Sequence, residues 1–507
     1  MKQVKTMISV YGWLILAMLF LFLAGGDRPV EIAVWLSPIF LLRFFRETQW
    51  WKGVLISLPF IAAVTTLADK GMMPFPFSVA VILTVINSTL GLIPFITDRL
   101  LRRSLPLYVR TLLFPFVAVS VEFFLASHFT GGTWGNIAYD IQNLALLQLI
   151  SVTGIWGIMF LIYWTASVIN EIWEHRHNLY DVRKLVAVFL VIFMGVYGFG
   201  LWRLSHRKPA EYTVRVAGLT PGPGHRAEMM NIFGKIFSPK RTEIFDEEAI
   251  RTSINKRFHQ LLMESAKLGK SGIKLVVWSE GATFIFERDE RIFIQDAIRS
   301  AEKYDFFLGM ALAVLKDSCL DLCANGQPFM TNKLMLISPA GQVDWEYAKW
   351  NRAPGFEKAM TIRGDGILKL SKTTMGDMTG AICYDMDFPA YIRQAGVLRS
   401  DLILVPSNDW PEIKHTHAKM ARMRAIENGA ALIRPASNGH SIAVDPYGNI
   451  VSIVDDIQSN GVPLVAALPV GSVRTLYAMA GDFWVWISLL GGLFLIVFGV
   501  TGKIKRT

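Results

Sequence analysis

Charged side chains are scarce in this chain. Asp, Glu, Lys and Arg together make up 18% of its 507 residues, where soluble proteins approach about a quarter. That shortage excludes an ordinary soluble enzyme. Cysteine is scarcer still, with only Cys319, Cys323 and Cys383, so a disulfide-built scaffold is excluded too. Cys319 and Cys323 are four apart; a bridge between them would close a tiny loop and contribute little, and two free thiols fit equally well. There is no Cys-x-x-Cys pair. His415 and His417, two apart at the start of an expected helix, face different ways and are expected to be solvated or capping, so no metal is expected. Internal repeats and low-complexity segments are absent.

What the chain has instead is apolar length. Hydrophobic residues make up 52% and the mean hydropathy is +0.38. Apolar runs occupy roughly 8–24, 30–45, 53–68, 76–97, 110–127, 149–169, 185–202 and 482–501. Most approach the ~20 residues that cross a bilayer as helix; the run at 30–45 is short and carries Arg43. Between 205 and 475 there is no such run. The expected organisation is therefore a membrane domain of about seven spans over 1–204, a polar domain over 211–472, and a final membrane helix over 480–502.

The net charge of +10 raises the question of nucleic acid, and the positions of the charges answer it. Lys2 and Lys5, then Arg43, Arg46 and Lys52, then Arg99, Arg102, Arg103 and Arg110 fall on alternate sides of successive spans. Arg176, Arg183 and Lys184, and finally Lys503, Lys505 and Arg506, continue the series, while the segment 128–148 holds no Lys or Arg. The positive-inside rule then puts both termini in the cytoplasm and the polar domain outside. No convincing small-x-small cleavage site follows the first run, where Gly25-Gly26-Asp27 reads as a turn, so the run is expected to stay as a membrane helix rather than leave as a signal peptide.

Within the polar domain the pattern changes to short strands alternating with helices. Val214–Gly218, Ile273–Trp278, Phe306–Val314, Ala381–Tyr384, Leu402–Pro406, Ala431–Pro435 and Ser441–Val444 read as strands, and Lys333–Ser338 with Val343–Ala348 as a hairpin about Pro339-Ala-Gly-Gln. Helices are expected at 244–268, 288–303 and 415–428. The alternation argues for an α/β layered fold.

Three residues at strand ends carry chemistry. Glu280 ends Val-Val-Trp-Ser-Glu, Lys349 ends Tyr-Ala-Lys, and Cys383 stands in Gly-Ala-Ile-Cys-Tyr-Asp. A thiol needs a base or a positive neighbour to attack as thiolate. A partly desolvated carboxylate supplies the base, and an ammonium stabilises the oxyanion of an attacked carbonyl. Each residue alone has an ordinary structural explanation; the ordered set points to covalent acyl transfer.

Trp278-Ser-Glu280, Tyr347-Ala-Lys349, Ile382-Cys383-Tyr384 and Pro435-Ala-Ser-Asn-Gly439 resemble the Glu–Lys–Cys signature of the nitrilase superfamily over about 211–470. With the preceding helices, Met420-Ala-Arg-Met-Arg-Ala-Ile-Glu427, and the final helix introduced by Arg474-Thr-Leu-Tyr-Ala-Met-Ala-Gly-Asp-Phe-Trp, the chain is similar to the apolipoprotein N-acyltransferase family. The resemblance implies an α/β fold: a nitrilase-like αββα sandwich on a polytopic membrane domain of about eight transmembrane helices. It further implies acyl transfer from a phospholipid donor, through a Cys383 thioester, to the α-amine of a diacylglyceryl-lipoprotein in a bacterial inner membrane. Glu280 would be the base, Lys349 the oxyanion holder, and Glu357 and Tyr384 supporting residues. No cofactor and no nucleic acid is implied, the partners being membrane lipids, and a monomer is expected. A membrane-anchored amidase or hydrolase, or an acyltransferase for another amine, would use the same three residues.

The chain departs from the family at two places. Asp385 stands where the family has Glu, as either a catalytic neighbour or a residue that orients the loop, and Asn351 stands where it has His. Trp278 and Asn438 are expected to contact substrate. So are Phe233 and Phe237, in an apolar stretch with Met229, Met230, Ile232 and Ile236 fringed by Lys235, Lys240 and Arg241; an ordinary helix packed on the domain is the alternative.

Overall fold

The computed structural model of the protein describes residues 2–128, 131–207, 212–222, 225–238, 240–459 and 461–504. Glu211, Lys505 and Arg506, and the side chains of Lys2, Lys5, Arg241 and Lys503, lie outside the described residues. The chain divides into two compact units, Met1–Arg207 with Ala480–Thr507, and Lys208–Met479.

Among the described residues of the first unit, six helices are long and apolar enough to cross a membrane: Trp50–Ala68, Phe77–Ser104, Leu107–His128, Ile155–Glu174, Arg183–Ser205 and Phe483–Gly502. The protein is a multi-pass membrane protein. The runs at 8–24 and 30–45 are helical as well. The first spans Lys2–Ala24, and the second, Glu31–Glu47, has 17 residues and carries Glu31, Arg43, Arg46 and Glu47. The expected run at 149–169 is broken by Gly154 at φ +64° into a short turn and the helix Ile155–Glu174. Arg43 and Arg46 are buried rather than loop residues. Arg46 grips Asp98 with two hydrogen bonds of 2.8 and 2.9 Å and reaches Glu171 at 3.0 Å.

The second unit is built on two sheets. Its strands are β1 (Thr213–Leu219), β2 (Leu275–Trp278), β3 (Thr283–Phe286), β4 (Phe307–Leu315), β5 (Met330–Ser338), β6 (Gln342–Ala348), β7 (Met378–Gly380), β8 (Leu402–Leu404), β9 (Ser407–Asn408), β10 (Ala431–Arg434), β11 (Ala436–Ser437), β12 (His440–Val444), β13 (Ile450–Asp455) and β14 (Leu464–Pro469). One sheet runs β14-β1-β2-β4-β5-β6 with β3 beside β4, the other runs β13-β12-β10-β8-β7, and β9 pairs with β11.

Period-two alternation assigns the faces. Val216, Val277 and Leu336 join Leu404, Ile433 and Ile442 in one apolar core, to which Ile392, Ala421 and Ala425 of the helices Pro389–Val397 and Lys414–Asn428 also belong. Ala217, Val276 and Met335 point the other way, into a core with Phe258 and Phe293 of the helices Glu247–Lys270 and Glu290–Tyr304. Helices thus cover the outer face of each sheet, and the order is helix, sheet, sheet, helix: the αββα sandwich. The helix Glu247–Lys270 shows its origin in sequence. Asp246 caps it by accepting from Ala249 N, acids fill its first turn and lysines its last, and Ile250, Ile254, Phe258, Leu261 and Leu262 form its buried stripe.

Strand direction then gathers the chemistry. β1, β2 and β4 are parallel, and β6, two antiparallel steps from β4, runs the same way. Their C-terminal ends share an edge, and ligands of open parallel sheets bind at that edge.

Candidate active site

Glu280 follows β2 by two residues, and Lys349 comes directly after β6. Lys349 Nζ donates to Glu280 Oε1 at 2.7 Å and to Glu357 at 2.8 and 2.9 Å. Asn332 Nδ2 bridges the same two carboxylates at 2.7 and 3.2 Å. The other oxygen of Glu280 accepts from Asn408 N at 3.0 Å. Lys349 is 3% exposed and Glu280 7%. Burial alone would lower the Lys349 ammonium, but Glu280, Glu357 and Cys383 outweigh it and hold the group well above its ordinary value. Glu357 is itself fixed by accepting from Ala353 N at 2.7 Å.

Cys383 corrects one expectation. The strand expected at Ala381–Tyr384 ends at Gly380, and Cys383 opens a 3₁₀ turn, Cys383–Asp387, with φ +45°. Left-handed backbone is costly for a residue with a side chain. Here the turn is held by Cys383 N donating to Pro406 O at 2.9 Å and by Asp385. Gly380 is required just before it, because a Cβ there would lie 2.5 Å from Leu334 Cδ2 and 2.8 Å from Trp345 across the sheets. The Cys383 sulfur lies 3.9 Å from Asn408 O. Burial and the charge of Glu280 push the thiol up, while Lys349 and His417 pull it down; the net shift is upward.

His417 is a second correction. Rather than solvated, it is buried, with Nδ1 2.9 Å from Asp409 Oδ1 and Nε2 3.7 Å from Asp387 Oδ1. Burial works against its charge, but the two aspartates overcome that and hold it well above its ordinary value, so it is a cation beside the thiol. Arg434 closes the cluster at 2.8 and 2.9 Å from the two oxygens of Asp409. One donor atom each of Cys383, Asp409 and His417 falls within 4.8 Å of the others, a set of metal-ligand type. With both Asp409 oxygens committed to Arg434, it reads as an ion-pair cluster. His415 does face away, edge-on to His440.

The remaining candidates divide. Asp385, fully buried, spends its oxygens on Tyr347 OH (2.7 Å), Ile382 N (2.9 Å) and Asn351 N (2.8 Å), tying the nucleophile turn to the segment after Lys349. Burial, opposed by these bonds and by Lys349, raises it to about 6. Tyr384 is buried and edge-on to Phe388. Asn438 touches the site at one remove: its Nδ2 donates to Asn408 Oδ1 at 3.0 Å, and Asn408 holds Glu280.

Trp278 lies apart from these residues. Its indole lies fully buried in the outer core on Phe258 and donates to Ser265 Oγ at 2.9 Å, whereas Cys383 belongs to the core between the sheets. Phe233 packs edge-on to Phe284 in that same outer core with Ile232 and Ile236, while Phe237 and Met230 of the helix His225–Phe237 are exposed. Met229 on this helix reaches Asn408 Nδ2 at 4.0 Å. Cys319 and Cys323 are free thiols.

The carbon-nitrogen hydrolase family profile matches residues 249–488, and that of the apolipoprotein N-acyltransferase N-terminal domain matches residues 4–168. Apolipoprotein N-acyltransferases of Geobacter metallireducens, Shewanella oneidensis and Pseudomonas paraeruginosa are 24%, 26% and 23% identical to the chain. These similarities span 96%, 84% and 94% of this chain and 90%, 82% and 91% of theirs. With membrane helices before and after an αββα domain that carries Glu280, Lys349 and Cys383 at adjoining strand ends, the chain belongs to the apolipoprotein N-acyltransferase family, a membrane-embedded branch of the nitrilase superfamily.

Proposed function

We propose that the protein moves a fatty acyl chain from a phospholipid, through a thioester on Cys383, to the α-amine of the N-terminal diacylglyceryl-cysteine of lipoproteins. The observation that carries this reading is the Lys349 ammonium clamped between Glu280 and Glu357 beside a buried thiol. In the resting site Cys383 is a neutral thiol, since burial and Glu280 both oppose its ionisation. As the sulfur attacks the donor ester carbonyl, Glu280 takes the thiol proton and Lys349 donates to the developing oxyanion. Collapse breaks the C–O bond, and Glu280 returns the proton to the departing lysophospholipid hydroxyl. In the second half the acceptor amine attacks the thioester, Glu280 takes its proton, and the C–S bond breaks to regenerate the thiol. His417, charged and next to the sulfur, stabilises the leaving thiolate. Glu357 keeps Lys349 aimed and charged.

The arginine-rich helix ends support a placement in which residues 1–204 and 480–502 span the bacterial inner membrane and 211–472 lies on its outer side, where exported lipoproteins are anchored. The test is mass spectrometry of the full-length protein incubated with phospholipid. A hydroxylamine-labile acyl adduct on Cys383, absent in Cys383→Ala and discharged by a diacylglyceryl peptide as an amide, is the expected result. Discharge to water alone would make the protein a hydrolase, and an unmodified Cys383 in an active preparation would sink the mechanism.

A further inference from the structure

A cavity of about 360 Å³ lies in the catalytic unit where the chain is about to leave it for the last apolar helix. Arg393, Arg399 and Arg474 line it, with Val397 and Met479 among its apolar walls and no carboxylate among the lining residues. The polar neighbours are already committed. Asn428 accepts from Gly396 N and donates to Arg424 O, and Thr475 donates to Glu427 O. Arg393 donates to the carbonyls of Ala478 and Met479 at 2.9 and 3.0 Å, which pins this wall. Arg399 and Arg474 are exposed, and their guanidiniums make no hydrogen bond or ion pair among the described residues. Arg399 also holds a left-handed φ of +59°, a conformation costly for arginine.

A competing explanation is that these arginines serve helix ends, since Val397 and Asn428 close the helices Pro389–Val397 and Lys414–Asn428 and carbonyl ends favour cations. Those carbonyls are answered by backbone: Arg399 N donates to Gly396 O, Ser400 N to Ala395 O and Gly429 N to Ala425 O. The guanidiniums of Arg399 and Arg474 are left for something else. Met479 is four residues from Phe483, where the last membrane helix begins. Val397, Leu476 and Met479 are exposed beside the cavity, the mixed apolar and basic surface that suits a headgroup layer. It is not the catalytic pocket: none of Glu280, Lys349, Glu357, Cys383 and His417 lines it.

We propose that the Arg393–Arg399–Arg474 cavity binds the phosphodiester of an anionic phospholipid headgroup, and so holds this end of the catalytic domain at the bilayer surface. Arginine forks match phosphate oxygens, and anionic lipid attracts each nearby basic residue. The proposal rests on the protein being a membrane protein, not on the acyl-transfer reading.

The test uses full-length protein in neutral detergent and native mass spectrometry with phosphatidylglycerol, phosphatidylcholine or inorganic phosphate. The wild type should retain phosphatidylglycerol over phosphatidylcholine, and Arg399→Gln/Arg474→Gln should weaken that retention about thirtyfold. Acylation of Cys383 by a soluble thioester should stay unchanged in the variant, which shows it folded and reads the catalytic site separately. Equal retention of phosphatidylglycerol by both proteins overturns the proposal. Arginine-dependent retention of inorganic phosphate without phosphatidylglycerol overturns it as well, assigning the cavity to a free anion.

Discussion

Two clusters of buried charge, one in each unit, are put together differently. In the membrane unit Arg43, Arg46, Arg102 and Arg110 interlock with Glu47, Asp98, Glu171 and Glu174, so that each carboxylate meets at least one guanidinium. In the catalytic unit a single ammonium, Lys349, serves two carboxylates, and Glu280 leans for the rest on the neutral donors Asn332 Nδ2 and Asn408 N. Guanidiniums with fixed forks and permanent charge suit the first task, which is to hold helices. An ammonium shared between two acids suits the second, because one carboxylate can accept a proton without leaving a cation stranded. The thiol beside it supplies that proton.

The comparison breaks most sharply at Glu280. Glu280→Gln keeps shape but removes the base, and transfer should fall by about 10²–10⁴-fold, with thermal unfolding little changed because Glu357 still holds Lys349. Arg46→Met should do the reverse. Asp98 and Glu171 would lose a buried partner, at a cost of about 3–5 kcal/mol, read as a lower melting temperature and yield while turnover per folded molecule persists. If Arg46→Met abolished turnover in a folded protein, the first cluster would not be merely structural.

The difference between the clusters also marks how far the sequence could be read. Glu280, Lys349 and Cys383 were legible because each carries a local strand-end pattern, and the layered fold followed from strand–helix alternation. The partners were not. Asp387 and Asp409 stand 30 and 8 residues from His417, and only the pairing of β9 with β11 and the turn after β7 bring them together. The pattern around His415 and His417 showed that the two diverge but not which one is buried. The outer-core position of Trp278 was not legible either, because a strand's period of two sets its faces but not which face meets the site. In the membrane unit Arg43 and Arg46 were read as markers of sidedness; nothing local to them announces Asp98 or Glu171, 52 and 125 residues from Arg46.

Asp385 sharpens the comparison, since it is a buried carboxylate held without any cation in hydrogen-bond contact. Its value of about 6 lies above the ordinary 3.8. A raised folded value means that its contribution to stability is complete below about pH 3.8 and is lost as the pH rises through about 6. Asp385→Glu restores the family's residue but adds a methylene where the side chain is fully enclosed, so stability should drop by about 1–3 kcal/mol without a gain in turnover. A faster enzyme would return Asp385 to the chemistry.

His417 tests whether a balanced cluster can still serve catalysis. The His417 cation lowers the Cys383 thiol against burial and Glu280, so His417→Gln should shift alkylation of Cys383 by iodoacetamide to higher pH. At a fixed neutral pH the rate should fall, because less of the thiol is ionised. The double variant His417→Gln/Asp387→Asn removes one charge of each sign, protects the fold and should show the same shift. An unmoved alkylation profile would make His417 a structural group only.

The smallest effect is expected at Trp278, which the sequence assigned to the site and the structure places in the outer core. Trp278→Phe gives up one hydrogen bond, Nε1 to Ser265 Oγ, worth about 1 kcal/mol. Ser265 is not orphaned by the change, because its hydroxyl donates to Leu261 O at 2.8 Å. Phe258 keeps an aromatic neighbour, so the loss should be confined to stability, a fall of a few degrees in melting temperature at most. KM for phospholipid and kcat should both stay at wild-type values. A raised KM with unchanged stability would mean that this face of β2 meets the acyl chain, and that the outer core is part of the substrate path.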